Sequence, residues 1–300
     1  MAINIFTKQI MMRRVIYSLI PIYAFAFWAY GWHLLVLSLV VFAGGIFSEY
    51  MMERRQKKKV SEAVLVTCML FTLSLPPLTP WWIALIGILF GVIIGKEAYG
   101  GFGRNVFNPA IVGRLFVYIA FPGEMTARFL VPGGFGSNAI TSATPLSILR
   151  EGETLSIWNT FIGNRAGAMG EGPILLILLA AIYLMYTKTA SWRIILSTLA
   201  SSFALILALD IFGVARALPV FHSFISGSIL FVMVFMATDP VSAPKKPQAQ
   251  WLYGMIIGVS SVLVRTFSLF PEGTSFGVLI GNTFASLIDL KFSKPKKVNS

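Results

Sequence analysis

Apolar runs near 15–31, 33–51, 61–78, 80–95, 105–121, 173–187, 194–213, 219–237, 251–267 and 275–290 occupy most of this chain. A helix needs about 20 mostly apolar residues to cross the hydrocarbon core of a bilayer, about 17 at the short end, so the runs predict about ten transmembrane helices. A soluble domain with so much apolar surface would have too little charge to cover it, since globular proteins carry about 25% charged residues. Here 12% are charged, 56% are hydrophobic and the mean hydropathy is +0.78. The sequence therefore predicts an all-α integral membrane protein.

The net charge of +12 does not point to nucleic acid, because the basic residues stand at the ends of apolar runs. There they act as topology signals and meet membrane lipid, since Lys and Arg are retained in cytoplasmic loops. Lys8, Arg13 and Arg14 precede the first run, "RRQKKK" (54–59) follows the second, and Lys96 and Arg104 follow the fourth. Lys188 and Arg193, Lys245 and Lys246, and the tail Lys291, Lys294, Lys296 and Lys297 continue the pattern after the sixth, eighth and tenth. Both termini are thus expected in the cytoplasm of a bacterial or archaeal cell, with 122–172 outside its cytoplasmic (inner) membrane. Trp28, Trp32, Trp81 and Trp82 would mark the outer interface, and Trp192 and Trp251 the inner one. The run from Val15 is too long for a cleaved signal, and no small-residue cleavage site follows it. The single Cys68 excludes an internal disulfide and a Cys-ligated cluster built by this chain alone, and two histidines, His33 and His222, make no metal motif.

The chain also resembles itself. "LSLPPLTPWW" (73–82) and "MATDPVSAPKKPQAQW" (236–251) are both Pro-rich breakers that lead through Trp into Gly-rich runs. "GGFGRNVFNPAIVGRLF" (100–116) and "EGTSFGVLIGNTFASLID" (272–289) then enter the last run of each half with an Asn near its start. Three regions follow: a first five-helix repeat over 1–122, an extracytoplasmic loop over 123–172, and a second five-helix repeat over 173–300 ending in the basic tail. Five is odd, so matching helices run in opposite directions, the inverted-repeat plan of many transport folds. Helices broken at matching places must line a cavity or be buried in protein.

Few residues are equipped for chemistry. Asp239 reads as a helix stop before Pro240, Asp289 as a solvated end residue, Asp210 as a partner for Arg216, and Glu62 as a carboxylate favouring a helix start. Arg114 and Arg265, inside apolar runs, need a partner, a cavity or an anionic ligand unless they reach an interface; the alternative reading is that they serve only helix packing. "GGFGRN" (100–105) lacks the third Gly and the preceding strand of a dinucleotide-binding turn, and its glycines instead let a flat ring approach the main chain. In "SNAITSATPLSILREG" (137–152), Thr144 before Pro145 is a good N-cap for a short amphipathic helix over 145–152. The same helix start would also stabilise a phosphate.

Three stretches taken together, "GGFGRNVFNPAIVGRLF", "SATPLS" (142–147) and "FMATDPVSAP" (235–244), resemble the RnfD/NqrB family of flavin-bearing membrane subunits in Rnf and Na⁺-NQR complexes. The likeness extends through "YGMIIGVSSVLVRTFSLFPEGTSFGVLIGN" (253–282), and the short N-terminal part is more similar to RnfD. The resemblance implies a fold similar to the urea and ammonium transporters. It also implies that Thr144, within Ser142-Ala143-Thr144, receives FMN from a flavin transferase as a phosphoester, with Asn138 standing where the family commonly has Asp. It further implies a noncovalent flavin, riboflavin, near Gly100, Gly101, Asn105, Asn108 and Arg114. The function implied is that of a subunit of a redox-driven ion translocase of the ferredoxin:NAD⁺ oxidoreductase type, passing electrons across the membrane with Na⁺ or H⁺. Flavin- and iron–sulfur-bearing subunits of the complex would be its partners. The rival reading from the repeats alone is a redox-inactive solute channel or transporter. No carboxylate cluster in the sequence identifies an ion site.

Overall fold

The computed structural model describes residues 6–133, 135, 148, 156–214, 220–268 and 273–293. The chain is mostly helical. Helices α1 (Ile10–Tyr30) and α2 (Trp32–Arg55) form a hairpin that turns at Gly31, whose φ of +50° is costly for a residue with a Cβ. Then come α3 (Ala63–Leu73), α4 (Trp81–Gly95), a short 3₁₀ turn (Glu97–Tyr99), α5 (Pro109–Ala120) and the five-residue α6 (Pro122–Thr126). The later part contains α7 (Ile157–Ile162), α8 (Ile174–Tyr186), α9 (Trp192–Ile211), α10 (Val220–Ile225), α11 (Ile229–Phe235), α12 (Pro247–Phe267) and α13 (Gly273–Lys291). Two short strands, β1 (Phe6–Thr7) and β2 (Val60–Ser61), pair in parallel.

Among the described residues, four helical stretches are long and apolar enough to cross a membrane: Ile10–Tyr30, Trp32–Arg55, Trp81–Tyr99 and Trp192–Ile211. Their outward faces carry large apolar side chains, such as Leu39 at 72% and Ile211 at 73% exposure, as a surface solvated by lipid tails requires. Three further apolar helices, α3, α5 and α8, are shorter.

The breakers act where the sequence places them. Pro76 and Pro77 stop the third run after Leu73, and Asp239-Pro240 follows the end of α11. The run over 219–237 is further divided: Gly227, at φ +74°, separates α10 from α11. Carbonyls left free where α3 ends are satisfied by a returning segment, with Gly170 N–H donating to Leu73 O (2.7 Å) and Met169 N–H to Leu75 O (3.2 Å). At the division between α10 and α11, Arg265 donates to Ser223 O (2.8 Å) and Ser226 O (2.7 Å).

Helix α4 lies between α2 and α5, and α12 lies between α9 and α13. Both sets rely on small residues to bring backbones together. A Cβ on Gly91 of α4 would stand 2.5 Å from Pro109 O, and one on Gly258 of α12 would stand 2.6 Å from Thr198 O.

Candidate functional site

An open-sided pocket of about 600 Å³, measured out to its mouth, lies beside α3 and α11. Ala63, Val66, Thr67 and Leu70 form one stripe of α3 along its wall, at the three- and four-residue spacing that shares a helix face. Val234 and Phe235 of α11 and the following Thr238 to Val241 form the facing wall. Lys96, Phe102, Asn105 and Asn108 add to it from the segment between α4 and α5, and Met12 and Val15 of α1 and Leu184 of α8 also line it.

Asn108 is fixed by its own helix. Its Oδ1 accepts from Ala110 N–H (3.0 Å) and Ile111 N–H (3.4 Å), capping α5 with Pro109 in the first turn. Its backbone N–H donates to Asn282 Oδ1 (3.3 Å), and Asn282 in turn donates to Tyr253 Oη (2.7 Å). This pair of buried amides ties α5 to α12 and α13. Asn105 donates to Phe107 O (3.0 Å). Asp239 accepts from Ser242 Oγ (2.9 Å) and Val241 N–H (3.3 Å), closing the turn through Pro240 as well as lining the pocket. Burial pushes its carboxyl above the usual carboxylate range, with these hydrogen bonds opposing the shift.

Lys96 connects the pocket to a second buried group. Its ammonium donates to Glu49 Oε2 (2.5 Å) and to Ser61 Oγ (2.7 Å), while Ser61 donates to Glu49 Oε1 through N–H (2.8 Å) and Oγ (2.6 Å). Glu53, one helical turn after Glu49, and Glu97 from the 3₁₀ turn bring two more carboxylates, so that one oxygen of each lies within 4.8 Å of the others. All three are buried. Gly101 at φ +88° lets the following turn pass directly over Glu53; a Cβ there would collide with its Oε1.

A third group lies apart from the pocket. Arg114, fully buried on α5, donates to Glu171 Oε1 (2.8 Å), and its guanidinium faces the Tyr118 ring at 5.7 Å. Arg165 donates to Glu171 O (2.6 Å) and to Ile225 O. These bonds hold the 163–172 segment against α5 and the end of α10.

The pattern for the NQR2, RnfD, RnfE family matches residues 4–299. The chain belongs to this family. The NqrB protein of the Na(+)-translocating NADH-quinone reductase of Pseudomonas aeruginosa is 36% identical over 266 residues, which is 86% of this chain and 66% of that protein. Its counterparts in Pseudoalteromonas atlantica and Ectopseudomonas mendocina, named for the same reductase, are 38% and 39% identical over 83% of this chain and 64% of their own length. The chain thus spans slightly less than two thirds of these relatives.

Of the residues expected at a family flavin site, Asn105 and Asn108 line the pocket. Gly100 and Gly101 form the turn behind it, at φ +102° and +88°, against Arg104 and Glu53. Arg114 pairs with Glu171 at the other group. Ser142, Ala143 and Thr144 lie outside the described residues, as do Asn138, nearly all of the helix expected over 145–152, and Arg216, the partner expected for Asp210. Asp289 is not merely solvated: its carboxylate accepts from Lys245 N–H (2.8 Å) and Lys246 N–H (2.9 Å) at the start of α12. Glu62 precedes α3 as expected but is engaged by Arg13 at 2.6 Å. Sequence reasoning missed Glu49, Glu53 and Glu97 and took Lys96 only for a topology signal. The usable signals were Glu49 inside an apolar run with Glu53 four residues later just past its end, and a Lys-Glu pair directly after another run.

Proposed function

We propose that this chain is a flavin-bearing membrane subunit of a redox-driven ion-translocating complex. The observation that carries the reading is the family match over 4–299. Its fold is two inverted five-helix repeats of urea/ammonium-transporter likeness, over 1–122 and 173–300, joined by an extracytoplasmic loop. The matched breaks after α3 and α11, and the equivalent placing of α4 and α12 between their neighbours, support this pairing.

Thr144 carries FMN as a phosphoester, formed by a flavin transferase on the outer face, and flavin supplies one- and two-electron chemistry when bound. The pocket beside Asn105 and Asn108 is the place for a second, noncovalent flavin: amide and carboxyl groups stand on its walls among apolar side chains, the mixed lining of a ligand site. Asn105, Asn108 and Thr238 would orient such a ring, and Phe102 and Phe235 would exclude water around it. Ferredoxin:NAD⁺ oxidoreductase of the Rnf type is one setting for these parts. The names of the relatives favour a second, an Na⁺-translocating NADH–quinone reductase. In either, iron–sulfur- and flavin-bearing subunits would supply and remove the electrons.

In-gel flavin fluorescence of the denatured protein, co-expressed with a flavin transferase, tests the central assignment. Wild type should fluoresce and Thr144→Ala should not, while both insert in the membrane. A dark wild type, with the transferase active on another substrate, would remove the covalent flavin and favour a redox-inactive channel.

A further inference from the structure

A second pocket, of about 1170 Å³ measured out to its mouth, opens where α8 ends and α9 and α12 begin. Trp192 starts a helix long and apolar enough to cross a membrane, so this pocket lies at a membrane surface. The Trp192 ring on its wall meets the Trp251 ring edge to face, as indoles do at such an interface. Lys188 and Arg193 line the pocket from the α8–α9 turn and Lys245 from the segment before α12, while no carboxylate lines it. None of the three cations forms an ion pair with a described residue; Arg193 lies instead over the Trp192 ring at 5.0 Å. The carboxylate of Asp289 is engaged by the backbone N–H groups of Lys245 and Lys246. Lys188 ends α8 at φ +55°, a conformation that ordinarily falls to Gly or Asn.

Cations converging on a cavity without a counter-charge suit a phosphate oxyanion, which Arg and Lys hold by charge-assisted hydrogen bonds. A soluble phosphate and a lipid headgroup share this chemistry, and the surroundings favour the lipid. Ile182 and Tyr186 of α8 and Leu196 of α9, all exposed, stand within one helical turn of residues that line the pocket. Acyl chains can lie along these apolar faces while the head enters the pocket. We propose that Lys188, Arg193 and Lys245 form a binding site for the headgroup of an anionic phospholipid, as basic pockets between transmembrane helices do. Thr189, Ala190, Thr238 and Pro240 line this pocket and the one beside α3 alike, so a bound headgroup shares a wall with the proposed flavin site. The lipid site itself does not rest on the flavin reading.

The test is the thermal unfolding midpoint of the full chain in a neutral detergent, titrated with short-chain phosphatidylglycerol, short-chain phosphatidylcholine or inorganic phosphate at matched ionic strength. Wild type should show a saturable rise with phosphatidylglycerol alone. Arg193→Gln should weaken the apparent affinity about fivefold, the effect of one basic residue near an anionic lipid surface. The combined Lys188→Gln, Arg193→Gln and Lys245→Gln variant should lose the saturable rise and keep its midpoint in phosphatidylcholine. Lys245→Gln, at an exposed residue, provides the single-variant test if Arg193→Gln does not fold. Lys58→Gln with Lys59→Gln removes two exposed charges outside the pocket lining and should leave the titration unchanged. Equal rises with the two lipids, an unchanged titration in the pocket variants, or an equal loss in the Lys58 and Lys59 variant would each overturn the site. Saturation by inorganic phosphate at the same concentrations would make the ligand a soluble phosphate and overturn the lipid assignment.

Discussion

Arg114 illustrates how a single residue is fixed by distant sequence. An arginine with no exposure needs an anion, and Glu171, 57 positions later, provides it at 2.8 Å. Breaking a buried pair by removing one partner costs about 3–5 kcal/mol, because the other charge stays behind. Arg114→Ala and Glu171→Ala should therefore each lower the thermal unfolding midpoint markedly, and the double variant should lose less than the sum of the two; a full sum would refute the pairing. The need for a partner was legible from an Arg inside an apolar run. Its identity was not, since no spacing rule connects α5 to a loop beyond the next helices. Asn108 was expected only at a flavin site, inside a run taken to begin at 105; the structure makes it the N-cap of α5, which Asn-Pro signals locally.

At the scale of elements, the short helices follow from punctuation visible along the chain, namely Pro76-Pro77 and Asp239-Pro240. The division of 219–237 into α10 and α11 was hidden because it depends on Arg265, from another helix, donating to the carbonyls at the break. Helix interfaces show the same dependence on non-local contact. Gly254 and Gly258 of α12 face Ser197 and Ser201 of α9 with no space for a methyl group. Gly258→Ala should overpack this seam and cost about 1–3 kcal/mol, read as a lower unfolding midpoint, whereas Gly103→Ala, which meets nothing within 4 Å, should lose stability only through its φ of +86°. Equal losses from collision and from strain would not be expected, and Gly258→Ser, larger still, should be worse than Gly258→Ala.

At the scale of the molecule, the distribution of Lys and Arg predicts the orientation. A reporter active only in the cytoplasm should work when fused after Lys57, and one active only outside should work when fused within 123–172. The opposite pattern would invert the whole assignment. The apolar runs made the membrane class legible, while the pocket was not, since it is built from one stripe of α3, the end of α11 and a loop that meet only after folding. That pocket has an electrical consequence. Leu70 lies seven residues after Ala63 on α3, so the lining stripe extends about 10 Å along the helix at a rise of 1.5 Å per residue, a length equal to about a third of a hydrocarbon layer about 30 Å thick. Water or a polar ligand that filled this length from one side would carry the bulk potential inward, and the membrane voltage would drop over the thinner insulator that remains. A charge moved from the cavity floor to the far surface would then cross nearly the whole voltage, about 2.3 kcal/mol per 100 mV, over a shorter path and through a steeper field.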